Sequence, residues 1–224
     1  MANEQLQTIE VSASDTPAAS VIMLHGLGAD GTDFLPLADE IDLSPIGPVR
    51  WVLPRAPMRA VTVNGGHRMR AWYDILGTDL ARREDEAGLR QSVAQVHALI
   101  EREVTRGVPA RRIVLAGFSQ GCAISLMAGL RCTQRLAGVA GLSGYLPMAG
   151  STQAEAHAAN RDLPLFLAHG AHDTVVVPAR GMASRDQLQA LGWVVEWHEF
   201  PMEHSVCMEE LVALRQWLLR VLAA

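Results

Sequence analysis

The run AGFSQGC, residues 116–122, holds one hydroxyl in a setting built for nucleophilic attack. Ser119 has Gly117 and Gly121 two positions away on either side, the G-x-S-x-G pattern. Before it, Arg112-Ile113-Val114-Leu115-Ala116 reads as a buried strand; after it, Cys122 to Leu130 reads as a helix. A serine on a sharp strand-to-helix turn is held in a strained backbone, so its oxygen stands clear of the sheet. The glycines remove side chains that would collide in that turn. The helix N-terminus adds the positive end of a dipole where negative charge would develop.

A serine hydroxyl is a weak nucleophile until a base takes its proton. On a strand-turn-helix elbow the partners follow in the order serine, acid, histidine. After Ser119 come His157, His169, His172, His198 and His204. His157 precedes any suitable acid, and His198 lies inside the strand-like run VVEWHEF. His204, in PMEHSV, follows a strand end and precedes the last helix, the position from which catalytic groups leave an open α/β sheet. The acid must leave a strand end too. Asp162 precedes its strand and Asp186 sits in a helix, whereas Asp173 follows the Leu165 to Ala168 run directly. His169, His172 and Asp173 resemble metal ligands, but no second ligand cluster accompanies them, so no metal is expected.

Attack on a carbonyl makes an oxyanion that needs fixed N–H donors. One comes from the residue after the nucleophile, Gln120; the other from the loop after an earlier strand, HGLG, at Leu27. Gly26-Leu27-Gly28-Ala29-Asp30-Gly31 also matches the dinucleotide-binding pattern G-x-G-x-x-G. The acidic residue that would hold a ribose is missing from VRWVLPRAP, and Asp30 would put a negative charge in the phosphate cradle. The glycines are therefore assigned to the oxyanion loop and no cofactor is expected.

The elements around these residues alternate. Strands are predicted at 21–24, 49–53, 112–116, 138–142, 165–168 and 193–200; helices at 34–41, 85–106, 122–130, 178–192 and 208–222. In the second helix Leu89, Val93, Val96, Ile100 and Val104 form one stripe. Residues 55–70, with Pro57, Gly65 and Gly66, read as loop, as does the polar stretch 149–162. Alternation of this kind predicts an α/β fold, a mostly parallel central sheet with helices on both faces, over a single domain 1–224.

The 224 residues carry a net charge of -5 with no basic cluster, so no nucleic-acid partner is expected. All nineteen basic residues are arginine, which excludes Schiff-base and P-loop lysine chemistry. Cys122, Cys132 and Cys207 show no metal spacing. With no signal-like opening and no apolar run of about 18 residues or more, a cytoplasmic chain without an integral membrane segment is expected.

Assembled, these residues make the chain resemble the carboxylesterase and acyl-protein thioesterase family of α/β-hydrolases. The likeness runs through VIMLHGLGADG, WVLPRAPMRAVTVNGG, RAWYDILG, EDEAGLRQSVAQVHALI, RRIVLAGFSQG, LAGVAGLSGYLP and EHSVCMEEL. It implies Ser119, Asp173 and His204 as a catalytic triad, with Leu27 and Gln120 as oxyanion donors. It further implies an acyl pocket under the loop holding Trp72, Ile75, Leu76 and Leu80. The activity implied is ester hydrolysis through an acyl-enzyme, and short- to medium-chain acyl esters are the substrates expected here. Acyl-protein thioesterase or lysophospholipase action on long chains is the alternative, and a homodimer is left open. Cys122 departs from the family, standing where a glycine is usual; it either narrows the pocket floor or is a buried thiol.

Overall fold

The computed structural model describes residues 6–77 and 84–223. Strands β1 (Thr8–Val11) and β2 (Ala19–Leu24) lead to helix α1 (Leu35–Glu40) and strand β3 (Val49–Pro54). A hairpin of β4 (Met58–Val61) and β5 (His67–Arg70) precedes α2 (Glu86–Thr105), β6 (Ile113–Phe118) and α3 (Gln120–Arg131). Then follow β7 (Gly138–Leu142), α4 (Thr152–Glu155), β8 (Leu165–Gly170), α5 (Pro178–Ala190), β9 (Val195–Phe200) and α6 (Met208–Ala223).

Seven strands make one sheet in the order β1-β3-β2-β6-β7-β8-β9, parallel throughout except where β1 runs against β3. The continuous apolar runs follow from burial on both faces. In β2, Ile22 and Leu24 join a core with Leu89, Val96 and Ile124 of α2 and α3; Val21 and Met23 join the opposite core with Leu37, Leu214 and Trp217 of α1 and α6. Each such side chain contributes about 1.5–3 kcal/mol when fully withdrawn from water. Chain order reverses between β2 and β6, leaving a crevice at their carboxyl ends, where ligands of open α/β sheets bind. This is the α/β-hydrolase arrangement.

Two irregular stretches are more ordered than expected. Residues 58–70 form the β4–β5 hairpin around Asn64, Gly65 and Gly66, with Val61 paired to His67. The 149–162 stretch contains α4 and two short 3₁₀ turns, pinned by the buried Asn160 side chain, which donates to the Cys132 and Gln134 carbonyls. Strand β1, from the polar opening segment, was not expected at all; it is an edge strand with only partial burial and so carries no apolar run.

Two buried glutamates meet opposite fates. Glu103 accepts from Ser20 Oγ at 2.7 Å and from Arg50 and Arg106, each at 2.9 Å. Glu210, in the first turn of α6, is fully buried, and neither carboxyl oxygen has a hydrogen-bond partner among the described residues. Burial, the largest cause, pushes its pKa up to about 8. An unfolded glutamate ionises near 4.5. Between these values the native chain binds a proton that the unfolded chain has lost, so this residue costs stability progressively as pH rises and levels off above about 8. Glu210→Gln is therefore expected to gain stability over wild type between pH 5 and pH 8.5, by on the order of a few kcal/mol. Urea denaturation at the two pH values measures it. A gap that does not change with pH would contradict the account.

Candidate active site

The elbow forms as its sequence demands. Strand β6 ends at Phe118, α3 begins at Gln120, and Ser119 between them has φ 55° and ψ -115°. Such a backbone costs on the order of 1–3 kcal/mol and persists only where its surroundings fix it. Here the Ser119 N–H donates to the Leu142 carbonyl at 2.9 Å, tying the turn to β7. A methyl group at Gly117 would overlap the Gly121 carbonyl, and one at Gly121 would overlap that of Leu24. Close helix-strand approach is what the two glycines provide.

From the carboxyl ends of β8 and β9 come Asp173 and His204. Ser119 Oγ lies 3.0 Å from His204 Nε2, and His204 Nδ1 lies 2.7 Å from Asp173 Oδ2. The other carboxylate oxygen, Oδ1, accepts from the Val175 and Val176 N–H groups at 2.9 and 2.8 Å. His169, buried at the end of β8, places Nε2 2.7 Å from the Val176 carbonyl and so braces the turn that carries Asp173. Phe118 packs its ring 4.7 Å from that of His204. The unselected candidates lie elsewhere: His157 caps a 3₁₀ turn, His198 stacks on Phe200 and packs at a tilt against Phe166, Asp162 pairs with Arg135 and Asp186 with Arg185.

Opposite Ser119, the loop after β2 presents Leu27. Among the described residues, neither the Leu27 nor the Gln120 N–H finds an acceptor, and both line the cavity with Ser119. Several contacts set this loop. Gly28, at φ +74°, donates its N–H to the Arg70 carbonyl at 2.9 Å, so the β4–β5 hairpin holds it. His25 is buried, and desolvation lowers its pKa, keeping it neutral. Its Nε2 accepts from the Ala56 N–H at 3.0 Å, leaving the Nδ1 hydrogen for the Gly26 carbonyl at 2.7 Å. Asp30 caps the next turn and pairs with Arg55 and Arg70, which accounts for an acid unsuited to a phosphate cradle.

A cavity of about 590 Å3 opens over Ser119. Ile75 lines it. Trp72 does not: it is fully buried, its indole N–H donating to the His25 carbonyl at 2.8 Å. The Gln120 side chain accepts from the Trp72 N–H and donates to the Tyr73 carbonyl, both at 3.0 Å, so the expected Trp72 contact becomes a structural clamp. Leu76 is exposed and does not line this cavity; it lines an adjoining cleft with Asp74 and Glu84 that shares Tyr73, Ile75 and Tyr145 with it. Leu80 lies outside the described residues. The lining missed from sequence includes Val63, Tyr73, Tyr145, Val175 and Arg180. None of these carries a local signal in the sequence that marks it as cavity lining. Cys122 does not reach the cavity. Its thiol is buried beneath, where Gly141 and Gly144 leave room for the sulfur, and burial pushes its pKa up to about 12.

A serine elbow with a histidine and an aspartate in hydrogen-bonded series, on this sheet, defines a class: the serine hydrolases of the α/β-hydrolase fold. The chain belongs to the phospholipase/carboxylesterase family, whose pattern matches residues 6–222. It is 38% identical over 215 residues to acyl-protein thioesterase 1 of Yarrowia lipolytica, covering 94% of this chain and 95% of that one. The Neurospora crassa protein of the same name is 39% identical over 209 residues, covering 89% of this chain and 85% of its own. In three dimensions the chain is similar to acyl-protein thioesterase 2 of Zea mays, with TM-score 0.86 and 29% identity over 96% of this chain and 99% of that one. Among the described residues, no helix is long and apolar enough to cross a membrane.

Proposed function

We propose that this chain is a serine carboxylesterase acting on short- to medium-chain acyl esters. The observation that carries the reading is the Ser119–His204–Asp173 series beside the Leu27 and Gln120 backbone N–H groups, which have no acceptor among the described residues. Ser119 Oγ attacks the acyl carbonyl while His204 Nε2 takes its proton; Asp173 holds the Nδ1 hydrogen and stabilises the imidazolium. The Leu27 and Gln120 N–H groups receive the oxyanion, each donor contributing about 3 kcal/mol in comparable sites. His204 then protonates the leaving alcohol, and water activated by the same nitrogen releases the acid from the acyl-serine.

Thioesters of long acyl chains, the alternative, undergo the same steps, and the relatives' names point that way. The polar groups of Asn64, Tyr73, Tyr145 and Arg180 interrupt the cavity's apolar surface. The Tyr73 and Tyr145 hydroxyls pair with each other, but a long saturated chain would desolvate the Arg180 guanidinium without pairing it, which favours shorter acyl groups. Initial rates on p-nitrophenyl esters from acetate to palmitate are expected to peak between butyrate and octanoate. A peak at palmitate would overturn the short-chain reading in favour of the alternative. The free cysteines Cys122, Cys132 and Cys207 fit a reducing cytoplasm.

A further inference from the structure

Arginines on this surface are mostly paired with acids: Arg55 and Arg70 with Asp30, Arg131 with Glu155, and Arg185, on the same helix as Arg180, with Asp186. Arg180 is different. It lines the cavity over Ser119, is half-buried, and among the described residues has no carboxylate within ion-pair distance and no acceptor for its guanidinium. The guanidinium carbon stands over the Tyr145 ring, 3.5 Å from its centre, where cation–π attraction holds it. Tyr145 is itself fixed, its hydroxyl 2.9 Å from that of Tyr73. The cavity's other charged lining residue, Asp33, has its Oδ2 occupied by the Asp30 N–H at 2.9 Å. The result is a positioned cation whose side-chain N–H donors are unspent among the described residues, in the same cavity as the nucleophile. Stacking satisfies one face of the guanidinium and leaves its in-plane donors open, the geometry that receives a carboxylate.

We propose that Arg180 makes this enzyme selective for esters that carry a carboxylate remote from the scissile bond. This rests on the esterase reading above and adds the substrate class. The acid function sits on either the acyl chain or the leaving group, and the two are separated by experiment. Two substrate pairs serve: p-nitrophenyl hexanoate against mono-p-nitrophenyl adipate, and phenyl butyrate against 4-carboxyphenyl butyrate. The readout is the ratio of kcat/KM, charged over neutral, within each pair, for wild type, Arg180→Met and Arg180→Lys.

In at least one pair the ratio is expected to fall about tenfold to a hundredfold in R180M, the scale of a charge-assisted hydrogen bond. R180K recovers part of it, and the wild-type ratio falls as salt is raised from low ionic strength. Loss in the adipate pair places the anion on the acyl side; loss in the carboxyphenyl pair places it on the leaving group. Because each ratio is internal, a general loss of activity cancels, and the wild-type salt dependence needs no variant to fold. Ratios that R180M and salt leave unchanged in both pairs, with neutral esters turned over normally, would overturn this inference alone. A wild-type enzyme inert on all four esters would overturn the esterase reading and this inference with it.

Discussion

Ser119→Ala is expected to lower kcat/KM on p-nitrophenyl esters by about 10^4-fold or more, with little change in KM. The loss has one cause. Alanine keeps the elbow's length and meets the same φ of 55° with a side chain no larger than serine's, so the turn and its tie to Leu142 survive. What disappears is the oxygen 3.0 Å from His204 Nε2. Residual rate above the uncatalysed reaction should remain, because the Leu27 and Gln120 N–H groups still receive an oxyanion when water attacks in place of the serine. Unchanged urea denaturation of the variant would assign the loss to chemistry. Activity near wild type would make Ser119 a turn residue.

Asp173→Asn should cost a similar factor in kcat, about 10^4, the scale seen for the same change in a serine protease. The hydrogen bonds around the carboxylate dictate the outcome. Oδ1 accepts two N–H groups, from Val175 and Val176, so the asparagine oxygen must occupy that position. Its NH2 is then forced onto the side of His204 Nδ1, where Oδ2 stood at 2.7 Å. A donor there selects the tautomer with the proton on Nε2, the nitrogen that must accept the serine proton. His169, whose Nε2 lies 3.4 Å from the same Oδ2, adds a second crowded contact. Acylation rate, measured as a pre-steady-state burst, should fall together with kcat. A variant with a normal burst and slow turnover would mean that Asp173 serves a later step.

Much of this site could be read from sequence because its proposed catalytic groups lie at turns. Ser119, Asp173, His204 and Leu27 each follow a strand, and strand ends in a parallel sheet converge on one edge. Their types and chain order therefore single them out as the proposed catalytic positions without any distance. The cavity was less legible because its walls come from segments with no common pattern. Trp72 and Tyr73 show why. They are neighbours in sequence, yet Trp72 points into the clamp of His25 and Gln120 while Tyr73 lines the cavity. Residue type suggested the larger aromatic; backbone direction chose the other. Arg180 and Tyr145 lie 35 positions apart and meet only through packing of α5 beside the loop after β7. The β4–β5 hairpin escaped notice because MRAV and HRMR carry charges in place of strand-like alternation. That hairpin nonetheless holds Gly28 and, through it, the oxyanion loop.

The most direct test of the central claim is covalent labelling with a fluorophosphonate, which reacts with serines activated by a neighbouring base. Wild-type protein should take up one adduct per chain, in step with loss of esterase activity. Peptide mass spectrometry should place it on Ser119, and Ser119→Ala should take up none. An adduct on another residue, or full hydrolysis by protein that resists the probe, would contradict the assignment of Ser119 as the nucleophile.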